Sequence, residues 1–274
     1  MRFGAPFVGI SRASFHSMFH RIFLTSSLLV LGLLALPGCP GTISADGVDG
    51  FTVNSAHWMV YASGGARVHE LVATNVGNYC SKRRAAEAQR QAAFEDHQAR
   101  IADGMNQCES QDAWYDDLAT AFNPIDKSGA SYLRVTVARE VDTSDLDAVT
   151  APAAGSYVQL GGGADGSFVA SLQTHEARFN QQFADAWDCT ELDEADMDDI
   201  GALATLLAQS SASVDYPQNR DLSAAQMDIV ETSTTKREID LDGDILEDGS
   251  TIGGIDASFT ATQCEVELAD EVSF

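Results

Sequence analysis

From residue 51 to 61 apolar and polar positions alternate, with Phe51, Val53, His57, Met59 and Tyr61 on one side. A period of two places successive side chains on opposite faces of a strand. Trp58 and Val60 fall on the other side, so both faces of this strand are expected to be partly covered. Ser63-Gly64-Gly65 reads as a turn and residues 68–75 as a second strand, completing a hairpin. The period then changes. Residues 82–94 are rich in Ala, Arg, Glu and Gln and poor in β-branched side chains, which favours a helix. Gly104 marks a break, Trp114, Leu118 and Phe122 recur at helical spacing, and Pro124 ends the segment. A helical pair over about 81–122 is therefore expected between strands.

Alternation returns beyond Pro124. Leu133, Val135 and Val137 oppose Arg134 and Thr136 in a strand over 132–141, and strands over 157–160 and 167–174 flank a glycine-rich turn. Residues 188–199 are acidic and lead into a short helix over 200–209, whose dipole a negative first turn would suit. Residues 210–222 read as a loop, and 226–233, 237–246 and 257–268 as an antiparallel meander. The expected fold is mainly β, an antiparallel sandwich with an inserted helical pair. Residues 51–274 are enough to bury one sizeable core, so a single domain is expected there.

The first 39 residues differ from the rest. Their only charges are Arg2, Arg12 and Arg21, and an apolar run over 22–36 stops at Pro37-Gly38-Cys39. A basic head, a short apolar body and a small-residue exit compose a secretory signal. The run is shorter than the roughly 20 residues that span a bilayer, which favours a cleaved signal over a permanent span. Leu36-Pro37-Gly38-Cys39 resembles the lipobox of bacterial lipoproteins, with Pro37 in place of the usual Ala, Ser or Thr. The resemblance implies a signal peptide over 1–38, initiated at Met1 or Met18, acyl chains on Cys39, and a lipidated tether over 39–50. Pro40 and Gly41 follow the cysteine where Asp would favour inner-membrane retention, so the outer membrane is expected, on its periplasmic face or at the cell surface. Asp256-Ala-Ser-Phe259-Thr-Ala261-Thr-Gln-Cys264 is similar to the closing strand of β-rich envelope lipoproteins that have no assigned activity. That likeness implies a fold and no function.

Charge narrows the partners. The chain carries 41 acidic and 16 basic residues, a formal charge of −25. Beyond Asp142 the only basic residues are Arg178, Arg220, Lys236 and Arg237. Such a surface repels nucleic acid and suits cations or basic partners. The expected partners are the membrane, through the N-terminal lipid, and an envelope protein. The main positive patch is Lys82, Arg83, Arg84, Arg90 and Arg100, read as a solvated helix face that pairs with the acidic domain.

Four cysteines follow Cys39: Cys80, Cys108, Cys189 and Cys264. In an exported chain they imply two disulfides, with three connectivities open. A straight helix over 82–103 would be about 33 Å long, whereas residues 104–108 return at most about 18 Å. This counts against a Cys80–Cys108 bond without choosing among the pairings.

Candidate chemistry is sparse. Residues 161–166 satisfy G-x-G-x-x-G, but a strand follows where a dinucleotide site needs a helix, so a hairpin loop is expected. Asp240, Asp242 and Asp244 resemble the opening of a calcium loop, yet Ile245 and Thr251 occupy the positions that should be Gly and Glu. A polar hairpin turn at Asp242-Gly243 is the simpler reading. The run Glu191, Asp193, Glu194, Asp196, Asp198 and Asp199 lacks the Gly and Asn of a cation loop. His57, His69, His97 and His175 show no metal-site spacing, and G-x-S-x-G is absent. The expected role is non-catalytic binding or scaffolding in the envelope. The alternatives are a Ca²⁺-stabilised adhesion or ligand-binding module, and a hydrolase without a recognisable motif.

Overall fold

The computed structural model describes residues 41–63, 66–140, 151–159 and 168–266. In chain order the strands are β1 (Gly41–Ala45), β2 (Phe51–Val53), β3 (Ser55–Ser63), β4 (Ala66–Thr74), β5 (Ser131–Glu140), β6 (Gly155–Val158), β7 (Val169–Thr174), β8 (Gln218–Ser233), β9 (Lys236–Glu247) and β10 (Ser250–Gln263). Helices α1 (Tyr79–Ala102) and α2 (Gln107–Phe122) join β4 to β5, and α3 (Phe179–Ala186) and α4 (Ile200–Ala212) join β7 to β8.

Seven strands, in the order β3-β4-β5-β7-β8-β9-β10, close on themselves as a barrel, because β10 pairs with β3. The expected sandwich is thereby corrected. Alternating apolar positions suit a sandwich and a barrel equally well. The difference lies in one contact between chain ends, Thr262↔His57 and Gln263↔Trp58, that no local pattern announces. All the other neighbours in the ring run antiparallel. A ring of seven cannot alternate throughout, so one neighbouring pair must be parallel, and β10–β3 is that pair. The seam is reinforced at Cys264, whose N–H donates to the Trp58 carbonyl at 2.8 Å, and by the Cys80–Cys264 disulfide.

Trp58, Leu71, Leu172, Met227, Ile239 and Phe259 belong to the largest cluster of buried apolar side chains, supplied by all the ring strands. Burying each of the larger ones contributes about 2–3 kcal/mol. A second cluster, including Met59, Val72, Tyr79, Ala86 and Tyr132, lies between strands and α1, so Trp58 and Met59 point into different cores. The two covered faces expected for this strand are both present.

Several local expectations change. Gly41–Ala45 lies within the presumed tether but pairs with β10 from Gly41↔Phe259 to Ala45↔Ile255. The strands flanking the glycine-rich stretch do not form a hairpin: β6 and β7 each pair with β8, at Gln226–Ile229 and Gln218–Asp221. The glycine string itself lies outside the described residues. Residues 210–222, expected as a loop, complete α4 and begin β8. Asp242-Gly243 is no turn but the middle of β9. A side chain at Gly243 would put its Cβ 2.7 Å from that of Ala225, in the bulge where β8 shifts register against β9. The hairpin turns instead at Asp248-Gly249, where both residues have positive φ (51° and 76°), as a type I′ turn requires.

β4 and β7 run in the same direction, each antiparallel to β5, so the chain leaves both at the same end of the barrel. All four α-helices of the described residues lie in those two connections and gather at that end. The Cys108–Cys189 disulfide ties one connection to the other. Among the described residues no helix is long and apolar enough to cross a membrane.

Candidate functional site

The cysteines resolve first. Cys80 bonds Cys264 and Cys108 bonds Cys189, with Cα–Cα distances of 5.7 and 5.8 Å. An unbroken α1 separates Cys80 from Cys108. Cys39 lies outside the described residues.

The structure places Asp240, Asp242 and Asp244 along one face of β9, not around a loop. Same-face residues in a strand are about 6.6 Å apart per step, too far for consecutive side chains to close on one ion as a calcium loop does. Among the described residues no group of three or more His, Cys, Asp or Glu is arranged to hold a metal ion. Registry does, however, oppose carboxylates directly. Asp240 faces Asp228 on β8, and Asp242 faces Asp256 on β10. With Glu238 these side chains are exposed, giving the barrel a continuous acidic outer wall. The wall went unnoticed in the sequence because its members come from three strands brought together only by register.

The basic helix face is largely satisfied from within. Arg83 and Arg90 both reach the buried Glu87 at 2.7 Å, and Arg100 reaches Asp117 on α2 at 2.9 Å. Three of its five cations, Arg83, Arg90 and Arg100, thus pair inside the helical pair and not with the acidic barrel wall.

The best-organised polar node is one the sequence did not reveal. Helix α3 begins at Phe179 after Arg178, which gives it no side-chain cap. Its free N–H groups are met by Asp126, from the segment that follows α2. Phe179 N donates to Oδ1 at 3.2 Å, and Asn180 donates to Oδ2 from its backbone and from its side chain, each at 2.7 Å. His175 Nδ1 lies 3.0 Å from Oδ1. Burial by itself would push the Asp126 carboxyl up. The His175 hydrogen bond and the amides of Asn180 and Phe179 outweigh it and hold the carboxyl below the usual carboxylate range. Local signals could not find this cap, because the acceptor stands 53 residues before the amide it serves.

An Asp–His pair is two-thirds of a nucleophilic triad. Here His175 Nε2 is buried and has no hydrogen-bond partner among the described residues, so no hydroxyl or thiol completes it. The converse arrangement occurs on α1 and α2, where Ser110 Oγ lies 2.8 Å from His97 Nδ1. Both residues are buried, the imidazole stacks on Trp114, and the Ser110 hydroxyl also donates to the His97 carbonyl. This pair has the atoms of a nucleophile and base but no exposed face for a substrate.

His57 and His69 lie on paired strands without sharing a site. His57 Nδ1 donates to the Thr262 carbonyl across the seam at 3.3 Å. Burial lowers the His57 pKa, and the positive charge of Arg84 adds to that lowering against the opposing carbonyl.

No protein-family model, no curated protein and no solved structure matches the chain.

Proposed function

We propose that this chain is a lipid-anchored lipoprotein of the cell envelope, with the outer membrane as its expected location, whose disulfide-fastened barrel acts as a non-catalytic binding or scaffolding module. The observation that carries this reading is the cysteine arithmetic. Four of the five cysteines are consumed in two disulfides, which form and persist in oxidising compartments. The remaining cysteine, Cys39, is the one at the lipobox-like exit. The buried polar pairs support the non-catalytic part, since Asp126–His175 caps a helix and Ser110–His97 is enclosed. The acidic wall of Asp228, Glu238, Asp240, Asp242 and Asp256 is the surface best suited to a protein partner, and its chemistry calls for a basic one.

Two measurements test the reading. Cys39→Ser should abolish acyl labelling and release the chain from membranes; labelling that persists in this variant would sink the anchor assignment. Crosslinking in intact cells should capture a reproducible basic envelope protein through the acidic wall. Turnover of a substrate by the purified protein, with no captured partner, would replace the scaffold with an enzyme.

A further inference from the structure

The short stretch of chain between Cys39 and the sheet fixes how an anchored barrel must sit. Cys39 is two residues before Gly41, and Gly41 is already held in the sheet opposite Phe259 on one side and Val53 on the other. Two residues span at most about 7 Å. An acyl group on Cys39 therefore leaves almost no tether, and the barrel wall at Gly41 must lie against the bilayer surface.

That wall has a distinct composition. β1, β2 and β10 together carry a single ionisable side chain, Asp256 at the margin shared with β9, and the β1–β2 connection adds the exposed Asp46 and Asp49. Their exposed positions include Thr42, Ser44, Thr52 and Ser258, all hydroxyl-bearing. β9, by contrast, carries Glu238, Asp240, Asp242, Asp244 and Glu247. Beyond Gly41 the edge of β10 passes Thr260 and reaches the seam at Thr262, which pairs with His57 and with Lys236. Lys236 and Arg84 are both exposed, and the charge of Arg84 reaches His57. Two exposed cations of a strongly acidic chain thus stand at the seam, with Glu238 and Glu265 the exposed acids at its border. Anionic headgroups attract nearby basic side chains and repel carboxylates, so this wall meets less electrostatic opposition at a bilayer than the face of β8 and β9 does.

We infer that the outer face of β1 and β2, with the adjoining Ser258 and Thr260 of β10 and edged by Lys236 and Arg84, rests on the lipid headgroups, and that the acidic face of β8 and β9, with Asp256 at its margin, is turned outward. The inference rests on acylation of Cys39, and its test separates the two.

The full acylated chain is reconstituted in vesicles of phosphatidylethanolamine with a minority of phosphatidylglycerol, and its acyl mass is verified first. A chain without that mass would refute the anchor itself. The chain has three lysines, Lys82, Lys127 and Lys236. Acetylation by a membrane-impermeant amine reagent is then compared with that of the soluble Cys39→Ser protein. Lys236 should react several-fold more slowly on vesicles, with Lys127 unchanged. Placing charge on the wall with Thr52→Glu and Ser258→Glu, both exposed positions, should restore the reactivity of Lys236 while acylation persists. Unprotected Lys236 on acylated protein, equal protection of Lys127, or protection that survives the glutamates would each overturn the orientation.

Discussion

Replacing both cysteines of the seam, Cys80→Ala with Cys264→Ala, tests whether that disulfide holds the barrel closed or merely shortens the unfolded chain. The bond joins residues 184 apart in sequence, and Cys108–Cys189 joins residues 81 apart. Chain entropy alone assigns about 5 kcal/mol to the first and about 4.5 kcal/mol to the second, and measured losses fall at or below such values. The shorter loop lies inside the longer, so the two are not additive. Global stability would therefore drop by similar amounts in either double variant, by about 2–4 °C in Tm for each kcal/mol lost.

The local consequence differs. β10 meets β3 over only two register pairs, assisted by Cys264 N–H to Trp58 O at 2.8 Å. A ladder that short opens independently unless something else holds it. Native-state hydrogen exchange should show the amide of residue 264, which bonds Trp58 across the seam, losing protection in the Cys80/Cys264 variant, at denaturant concentrations where β8–β9 amides keep theirs. The Cys108/Cys189 variant should leave the seam protected and loosen the helical connections. Equal seam protection in both variants would show that the register pairs close the barrel unaided, and would refute the argument.

Three further outcomes follow from particular contacts. Asp126→Ala strips the cap from α3 and the partner from His175, and should cost about 2–4 kcal/mol by urea unfolding at pH 7. The Asp126 carboxyl is held below its ordinary range, so its contribution is complete above the unfolded value of about 3.9 and disappears as pH falls through the lower folded value; a wild-type advantage that is flat from pH 7 to pH 2 would contradict this. Asp240→Asn removes one of two directly opposed carboxylates and should raise stability by about 0.2–1 kcal/mol. Molar salt should erase that gain, and a loss of stability at low salt would count against the register. Gly243→Ala brings a methyl to within 2.7 Å of the Ala225 methyl and should cost about 1–3 kcal/mol by thermal or urea unfolding; a neutral result would place the β8 bulge elsewhere.

What could be read from the sequence was what repeats locally. Alternation at Leu133, Val135 and Val137 marks β5, and helix formers over 82–94 mark the body of α1. Features that depend on distant register were not legible. Within residues 240–250 two Asp-Gly pairs offer the same turn signal, and only the fold distinguishes them: at 248–249 the backbone turns, while at 242–243 the glycine makes room for Ala225. The helix-length argument counted against Cys80–Cys108, but the actual partners depend on the seam bringing Cys264 to the start of α1 and on both helical connections leaving at one end. Nor could the cap of α3 be seen, because Asp126 carries no local capping motif and acts across a loop.

Most of the buried charge has a structural account. Glu87 joins two arginines of α1, and Asp126 caps α3. Arg237 is buried and donates to the carbonyls of Pro152, Ser233 and Lys236, tying the segment before β6 to the β8–β9 turn. The outer wall has no such account. Asp228 against Asp240 and Asp242 against Asp256 oppose like charges at positions where exposed Thr or Ser would fold as well, and each opposition weakens the sheet. Solubility requires net charge but not carboxylates placed face to face. If the less acidic wall rests on lipid, the acidic one is what the anchored barrel presents to its surroundings. A basic partner that neutralised those pairs would recover their repulsion as binding energy, so the asymmetry between the two walls ties the orientation of the barrel to the chemistry of what it meets.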